Sequence, residues 1–252
     1  DHTRLPTDIA RRCKNLKHVV FLGTGPQSYM SPQELAQIGV QVHIIKGYGD
    51  VAVAECAFAL MWAAARGFTK MDRGMRAGNW LRTDAVQLTG KTVGLVGFGG
   101  IAAEMARLAQ GAGMRVLAWN RSKKSHPGVT FVELDELLAQ SHVVSLHLLL
   151  DDQTRGLISA RRIAQMRDGV ILVNTARGAI VDEAAMIDAL KSGKMRHAGL
   201  DVYAVEPMTA GHPLYELDNV TLSAHSAFRT PQASDNLIEA AFDHCRRVSG
   251  KA

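Results

Sequence analysis

The segment Lys91–Ala102 (KTVGLVGFGGIA) sets glycines 97, 99 and 100 between an apolar β-type run and a helical pattern. Gly97 permits a tight turn, and Gly99 lets backbone approach a pyrophosphate with no Cβ in the way. Gly100 and Ile101 open the helix, whose free N–H groups and positive dipole end suit phosphate. Ala102 stands at the third position of the pattern, where helix–strand packing needs only a small residue. A glycine turn alone is weak evidence. Its context is supplied by the strand Thr92–Val96 and by one helical face of Ile101, Met105, Leu108 and Ala112. Arg177 follows the β-type run Val170–Asn174 and His225 follows Val220–Ser223, at the strand ends where open α/β sheets bind ligands. A guanidinium grips a carboxylate, and an imidazole gives and takes a proton near neutral pH. A dinucleotide turn, an anion-holding cation and an acid/base point to oxidoreduction of a small anionic substrate.

The next strand ends at Asn120-Arg121-Ser122. An NAD site usually places a carboxylate here for the ribose hydroxyls. Asn120 does not repel a 2′-phosphate, Arg121 can pair with one, and Ser122 can donate a hydrogen bond. NADP is therefore favoured over NAD. Lys123 and Lys124 read equally well as a solvated turn. Near the start, Gly23-Thr24-Gly25 follows the run Lys17–Phe21 and can present N–H groups to a substrate carboxylate, or be a plain turn.

These residues need a parallel sheet to position them. β-branched runs alternate with helical patterns, which is the mark of a doubly wound α/β fold. Strands are expected at Thr92–Val96, Arg115–Trp119, Val143–His147, Val170–Asn174, His197–Asp201 and Val220–Ser223. Helices are expected between them, at Ile101–Gln110, Leu134–Gln140, Ser159–Met166 and Asp182–Lys191. The first part is smaller. It holds a helix at Thr7–Cys13 with Thr7 as N-cap, strands at Lys17–Phe21 and Val40–Ile45 around a helix Pro32–Gln37, and a long apolar helix from Val51 to about Arg66 or on past Gly67. Two strands do not make an independently stable sheet. Either more strands come from the far end or the first ones are missing, and Asp1 reads as a start in mid-domain. The tail from Pro231 to about Val248 is one amphipathic helix.

Composition excludes several classes. The 252 residues are 47% hydrophobic and 21% charged, and the net charge of +5 is scattered, so no nucleic-acid surface is indicated. Cys13, Cys56 and Cys245 lie far apart with no metal-binding spacing, which fits a reducing, cytoplasmic setting without structural zinc. The most apolar run, Ala57–Ala65, is too short to span a bilayer, and no signal peptide is seen.

Several ordered segments together resemble the D-isomer-specific 2-hydroxyacid dehydrogenases, glyoxylate and hydroxypyruvate reductases among them. They are Gly90–Ala102, Val170–Asp182 (VILVNTARGAIVD), Ala198–Pro207 (AGLDVYAVEP) and Asn219–His225 (NVTLSAH), with Gly49–Glu55 and Gly78-Asn79-Trp80 in support. The resemblance implies a Rossmann-type cofactor domain at 78–228. It also implies a smaller flavodoxin-like substrate domain from 1–77 with 229–252, lacking its first strands. Arg177 resembles the family's substrate arginine, His225 its catalytic histidine and Glu206 the acid that partners it. Asp201 is expected to accept from the nicotinamide carboxamide, and Thr154, Thr175 and Ala176 to line the cofactor channel. Leu148-Leu149-Leu150 and Ser226-Ala227 depart from the family's usual Leu-Pro and apolar-Gly pairs, which leaves substrate identity open.

The reading is hydride transfer between NAD(P)H and a small 2-keto or D-2-hydroxy acid. Alternatives are a cofactor-sensing binding protein of the same fold, or a dehydrogenase of formate or phosphite. A homodimer is expected because the helix from Val51 offers more apolar surface than the small first part can bury.

Overall fold

The computed structural model describes residues 3–250. In chain order its elements are α1 (Thr7–Arg12), β1 (His18–Phe21), α2 (Pro32–Gln37), β2 (Gln41–Ile44), α3 (Asp50–Arg66), α4 (Phe68–Arg76) and β3 (Thr92–Val96). There follow α5 (Gly100–Gly111), β4 (Arg115–Trp119), β5 (Val129–Phe131), α6 (Leu134–Gln140), β6 (Val143–Leu146) and α7 (Ala160–Gln165). The last are β7 (Val170–Asn174), α8 (Glu183–Ser192), β8 (Met195–Leu200), β9 (Val220–Leu222) and α9 (Pro231–Val248).

The chain divides into two units. One joins the segment up to Gly49 with the segment from Arg229 onward. Here β1 and β2 pair in parallel, with His18 opposite Gln41. Ala10, Leu35 and Val40 form a small core that Leu5, Leu16 and Val19 extend. Helix α9 packs on β1.

The other unit runs from Asp50 to Phe228. Its seven-stranded sheet has the order β5-β4-β3-β6-β7-β8-β9, and every pairing is parallel. Strands covered on both faces must be apolar throughout, and β3, β6 and β7 are buried at every position. On one face Leu137, Leu138, Leu146, Leu172 and Leu190 pack together. On the other, Ala54, Ala57 and Met61 of α3 meet Leu95, Met105, Ala106 and Val173. The strand order reverses at β3, whose neighbours are β4 and β6, so the crevice at its C-terminal end is the place for a ligand.

Three expectations need correction. The boundary drawn at 77 falls instead after Gly49, because α3 and α4 belong to the large unit. Helix α3 lies so close to β8 that a Cβ on Gly199 would stand 2.9 Å from Leu60 Cβ. Helix α4 is tied down by Thr69 to Thr221 (2.8 Å) and by Lys70 and Arg73 to Asp218. The apolar surface of α3 is thus covered largely by its own sheet, which removes the reason first given for a dimer. Secondly, α3 does not continue through Gly67: that residue turns left-handed (φ +64°) and α4 leaves at 67°. Thirdly, Thr7 does not cap α1. Pro6 holds the cap position, and the Thr7 hydroxyl donates to Glu34 Oε2 instead (2.6 Å). Strand β5 was not foreseen; it is three residues long and sits at the sheet edge.

Candidate active site

The glycine turn is built by close approach. Gly97 has φ +90°, and a Cβ there would stand 2.7 Å from the His147 carbonyl oxygen. Its N–H donates to the Trp119 carbonyl (2.9 Å), which ties the turn to the end of β4. Gly100 packs against the Asp50 carboxylate so tightly that a Cβ would overlap it. Burial, with Glu104 adding to it, raises the Asp50 pKa. At Gly99 the opposite holds: nothing stands within 4 Å of where a Cβ would be, so open space lies before the first turn of α5.

Asn120 couples this turn to the loop after β4. Its Oδ1 accepts from the Phe98 N–H (3.0 Å), and its Nδ2 donates to the Ser122 carbonyl (3.0 Å) and Oγ (2.9 Å). Its amide is therefore occupied in shaping the loop, a role the sequence reading did not give it. Arg121 is exposed and donates to Gln153 Oε1 (2.6 Å), with Asp151 Oδ2 at 3.4 Å. Asp151 belongs to a turn after β6. Its Oδ1 accepts from the N–H groups of Gln153 and Thr154 (2.9 Å each). Thr154 Oγ1 accepts from the Asp151 N–H (2.8 Å) and donates to the Leu149 carbonyl (2.7 Å). Thr154 thus builds the turn that meets Arg121.

Beyond β7, buried Asn174 staples its own turn. Its Oδ1 accepts from the Ala176 N–H and its Nδ2 donates to the Arg177 carbonyl, both at 3.0 Å. Gly178 then lies against the backbone of Tyr203 and Ala204, where a Cβ has no room. This contact brings the arginine turn to the loop that carries Glu206. The Arg177 guanidinium, half-buried, donates to the Ala176 carbonyl (2.6 Å).

Glu206 Oε2 and His225 Nδ1 lie 2.6 Å apart, and Glu206 Oε1 accepts from the Tyr203 N–H (2.9 Å). Burial opposes the charge on Glu206. Hydrogen bonds from His225 and Tyr203 and the charges of His225 and Arg177 outweigh it, so the carboxyl is held below its usual range. With Nδ1 engaged, Nε2 of His225 is the nitrogen left to exchange a proton.

His225 is in the left-handed region, with φ +48°. Such a conformation in a non-glycine costs on the order of 1–3 kcal/mol and survives only if its surroundings enforce it. Asp201, fully buried, enforces it. Its Oδ1 accepts from Ser223 Oγ (2.6 Å) and the Ser226 N–H (3.0 Å), its Oδ2 from the Ala227 N–H (3.0 Å), and its carbonyl from the His225 N–H (2.8 Å). Both carboxylate oxygens are thus engaged by the protein. Tyr203 braces the same loop by donating to the Ser223 carbonyl (2.7 Å), and burial pushes its phenol pKa up.

The structure therefore gathers Arg177, Asp201, Glu206 and His225, and separately Gly97, Gly99, Gly100 and Ile101 with Asn120 and Ser122. Arg121 and Thr154 meet through the Asp151 turn. Gly23-Thr24-Gly25 lies in the other unit, after β1, where Gly23 has φ +154° and its N–H donates to the Phe21 carbonyl (2.8 Å). Sequence reasoning missed Asn174, Ser223 and Asp151. The one available signal was Asn174, a polar residue ending an otherwise apolar strand.

A dinucleotide fits this edge of the sheet. Beyond the space over Gly99, Thr175 Oγ1 and both ring nitrogens of His147 are buried without a partner among the described residues. They follow β7 and β6, whose paired ends are Asn174 and Leu146. Buried polar atoms of this kind are normally satisfied by a ligand or ordered water.

The model of the D-isomer specific 2-hydroxyacid dehydrogenase NAD binding domain matches residues 58–227. The chain is 38% identical over 241 residues to a D-3-phosphoglycerate dehydrogenase of Archaeoglobus fulgidus, covering 93% of this chain and 46% of that protein. It is also 38% identical over 236 residues to a hydroxypyruvate reductase of Thermotoga maritima, covering 92% of this chain and 77% of that one. Against the crystal structure of a glyoxylate reductase from Paecilomyes thermophila the TM-score is 0.89 at 33% identity, over 96% of this chain and 75% of that chain. The chain thus spans from about half to three quarters of the length of these proteins. With that match over most of the cofactor-type sheet and its glycine turn, the chain belongs to the D-isomer specific 2-hydroxyacid dehydrogenase family.

Proposed function

We propose that the protein reduces small 2-keto acids reversibly to D-2-hydroxy acids, with NADP preferred over NAD. The observation that carries this reading is the 2.6 Å pair of His225 Nδ1 and Glu206 Oε2 beside the Arg177 turn. The family, and relatives named hydroxypyruvate and glyoxylate reductase, support it.

The N–H groups opening α5 at Gly100 and Ile101, behind Gly97 and Gly99, would hold the pyrophosphate. Asn120, Arg121 and Ser122 would meet the ribose carrying the 2′-phosphate, and no carboxylate stands among these three residues to reject it. Thr175 and Ala176 border the same edge. Thr154 acts through its turn, and Asp201 through the histidine loop. When bound, the cofactor supplies the hydride.

Arg177 takes the substrate carboxylate and withdraws charge from the neighbouring carbonyl. His225, protonated at Nε2, donates to the oxygen as it becomes an alkoxide; in reverse, neutral Nε2 takes the proton from the hydroxyl. Glu206 fixes the ring orientation and balances the imidazolium charge. Gly23-Thr24-Gly25 remains proposed as a carboxylate-binding turn of the first unit. A homodimer belongs to this reading too, supported now by the exposed apolar side chains Phe68, Met75, Trp80 and Leu81. Sedimentation showing only monomer at micromolar concentration would remove it. The three cysteines are unpaired, in keeping with a reducing compartment.

The test is initial rates with NADPH and NADH on glyoxylate, hydroxypyruvate and other small 2-keto acids. NADPH-dependent turnover to the D enantiomer is expected where the product is chiral. Tight cofactor binding with no turnover across the panel would defeat the reading.

A further inference from the structure

We propose that Asp151 competes with the cofactor's 2′-phosphate for Arg121 and so tunes the preference between NADP and NAD. This rests on the reading of Arg121 as the 2′-phosphate ligand.

Arg121 is the flexible cation of the 120–122 loop, and its guanidinium is already engaged. It donates to Gln153 Oε1 at 2.6 Å, and Asp151 Oδ2 stands at 3.4 Å. Both partners come from a turn 30 or more residues further along the chain. The turn is held in shape from within. One Asp151 oxygen, Oδ1, accepts the N–H groups of Gln153 and Thr154, and Thr154 Oγ1 bridges the Asp151 N–H and the Leu149 carbonyl. The other oxygen, Oδ2, is the one that faces Arg121. The carboxylate thus has two separable jobs on two atoms. Oδ1 closes the turn, and Oδ2 places a negative charge at the cation.

A phosphate dianion arriving at Arg121 meets that charge. To bind there it must draw the guanidinium away from Gln153 and Asp151. An NAD ribose, carrying no phosphate there, meets no such cost. Arg121 favours the phosphate and Asp151 limits the gain. The pair is solvent-exposed, with Arg121 and Asp151 side chains 67% and 43% accessible, so the effect is modest.

Asp151→Asn separates the two jobs, because an amide oxygen still accepts from Gln153 and Thr154 while the charge is gone. Dissociation constants for oxidised NADP and NAD are read by titration calorimetry without substrate. The NADP constant is expected to fall about two- to five-fold in D151N, with the NAD constant unchanged. Gln153→Glu adds a second anion at Arg121 without touching the turn's internal bonds, and should weaken NADP by a similar factor while sparing NAD. In an Arg121→Ala background neither change should alter NADP binding. An unchanged or weaker NADP constant in D151N overturns the rivalry, as does an effect that persists without Arg121. If Arg121→Ala alone leaves NADP binding intact, the underlying NADP reading fails instead.

Discussion

Replacing Asp201 by Asn should destabilise the protein before any cofactor is added. The side chain is completely buried and accepts three hydrogen bonds, from Ser223 Oγ and the N–H groups of Ser226 and Ala227. Bonds to a buried charge are stronger than neutral ones, about 1.5–3 kcal/mol each. Asparagine fills the same volume, but one of its termini is a donor. With the amide oxygen serving Ser223 and Ser226, the amide nitrogen faces the Ala227 N–H, donor against donor. Leaving such groups unsatisfied costs about 1–3 kcal/mol each, so a total loss of about 2–4 kcal/mol is expected. For a protein of this size that lowers Tm by about 5–12 °C. Differential scanning calorimetry on the cofactor-free protein reads it directly. Turnover should fall as well, because the same bonds hold His225 at φ +48°. If cofactor-free D201N melts within about 1 °C of the parent and only nicotinamide binding suffers, Asp201 serves the cofactor and not the loop.

Other substitutions test other parts of the site. Gly97→Ala forces a Cβ to 2.7 Å from the His147 carbonyl at φ +90°, so it should cost about 2–3 kcal/mol and weaken both cofactors; a normal Tm in calorimetry would be inconsistent with the turn described. Arg177→Lys keeps the charge but loses the planar fork, and should raise KM for the keto acid about ten-fold or more while the cofactor dissociation constant stays fixed; an unchanged KM would place the substrate elsewhere. Stability should also depend on acid. Burial, with Arg196 adding to it, pushes the pKa of His197 down from 6.5 to about 4. The unfolded chain then binds a proton that the folded one refuses. The contribution of this histidine is full above pH 6.5 and falls by about 3 kcal/mol as pH drops to 4. Denaturant titrations between pH 4 and 7 should show a shallower slope in His197→Asn; an equal slope would assign the loss to other groups.

Much of the large unit could be read from the chain. Strands covered on both faces must be largely apolar, and Thr92–Val96 and Val170–Asn174 are buried at every position, while Arg115–Trp119 shows instead the alternating burial of a strand nearer the sheet edge. The glycine turn was legible for a related reason, since close backbone approach leaves few alternatives to glycine. Helix α3 was harder. Its alanines say that it is buried, but not against what, and the choice between the two units depends on contacts with β8 and α5 far along the chain. The site divides similarly. Arg177 and His225 stand at strand ends, where position alone makes them candidates. The left-handed turn at His225, and the carboxylate of Asp201 beneath it, arise from pairings across more than twenty residues that no local pattern encodes. The same is true of Asp151 and Arg121, which meet only because β4 and β6 flank β3 in the sheet.

The central claim is that His225, oriented by Glu206, moves the proton in 2-keto acid reduction. Its most direct test is His225→Ala, with NADPH oxidation followed at saturating keto acid and cofactor binding measured in parallel. Loss of kcat by about 10²–10⁴-fold with an unchanged NADPH dissociation constant is the expected result. Turnover equal to that of the parent protein would contradict it.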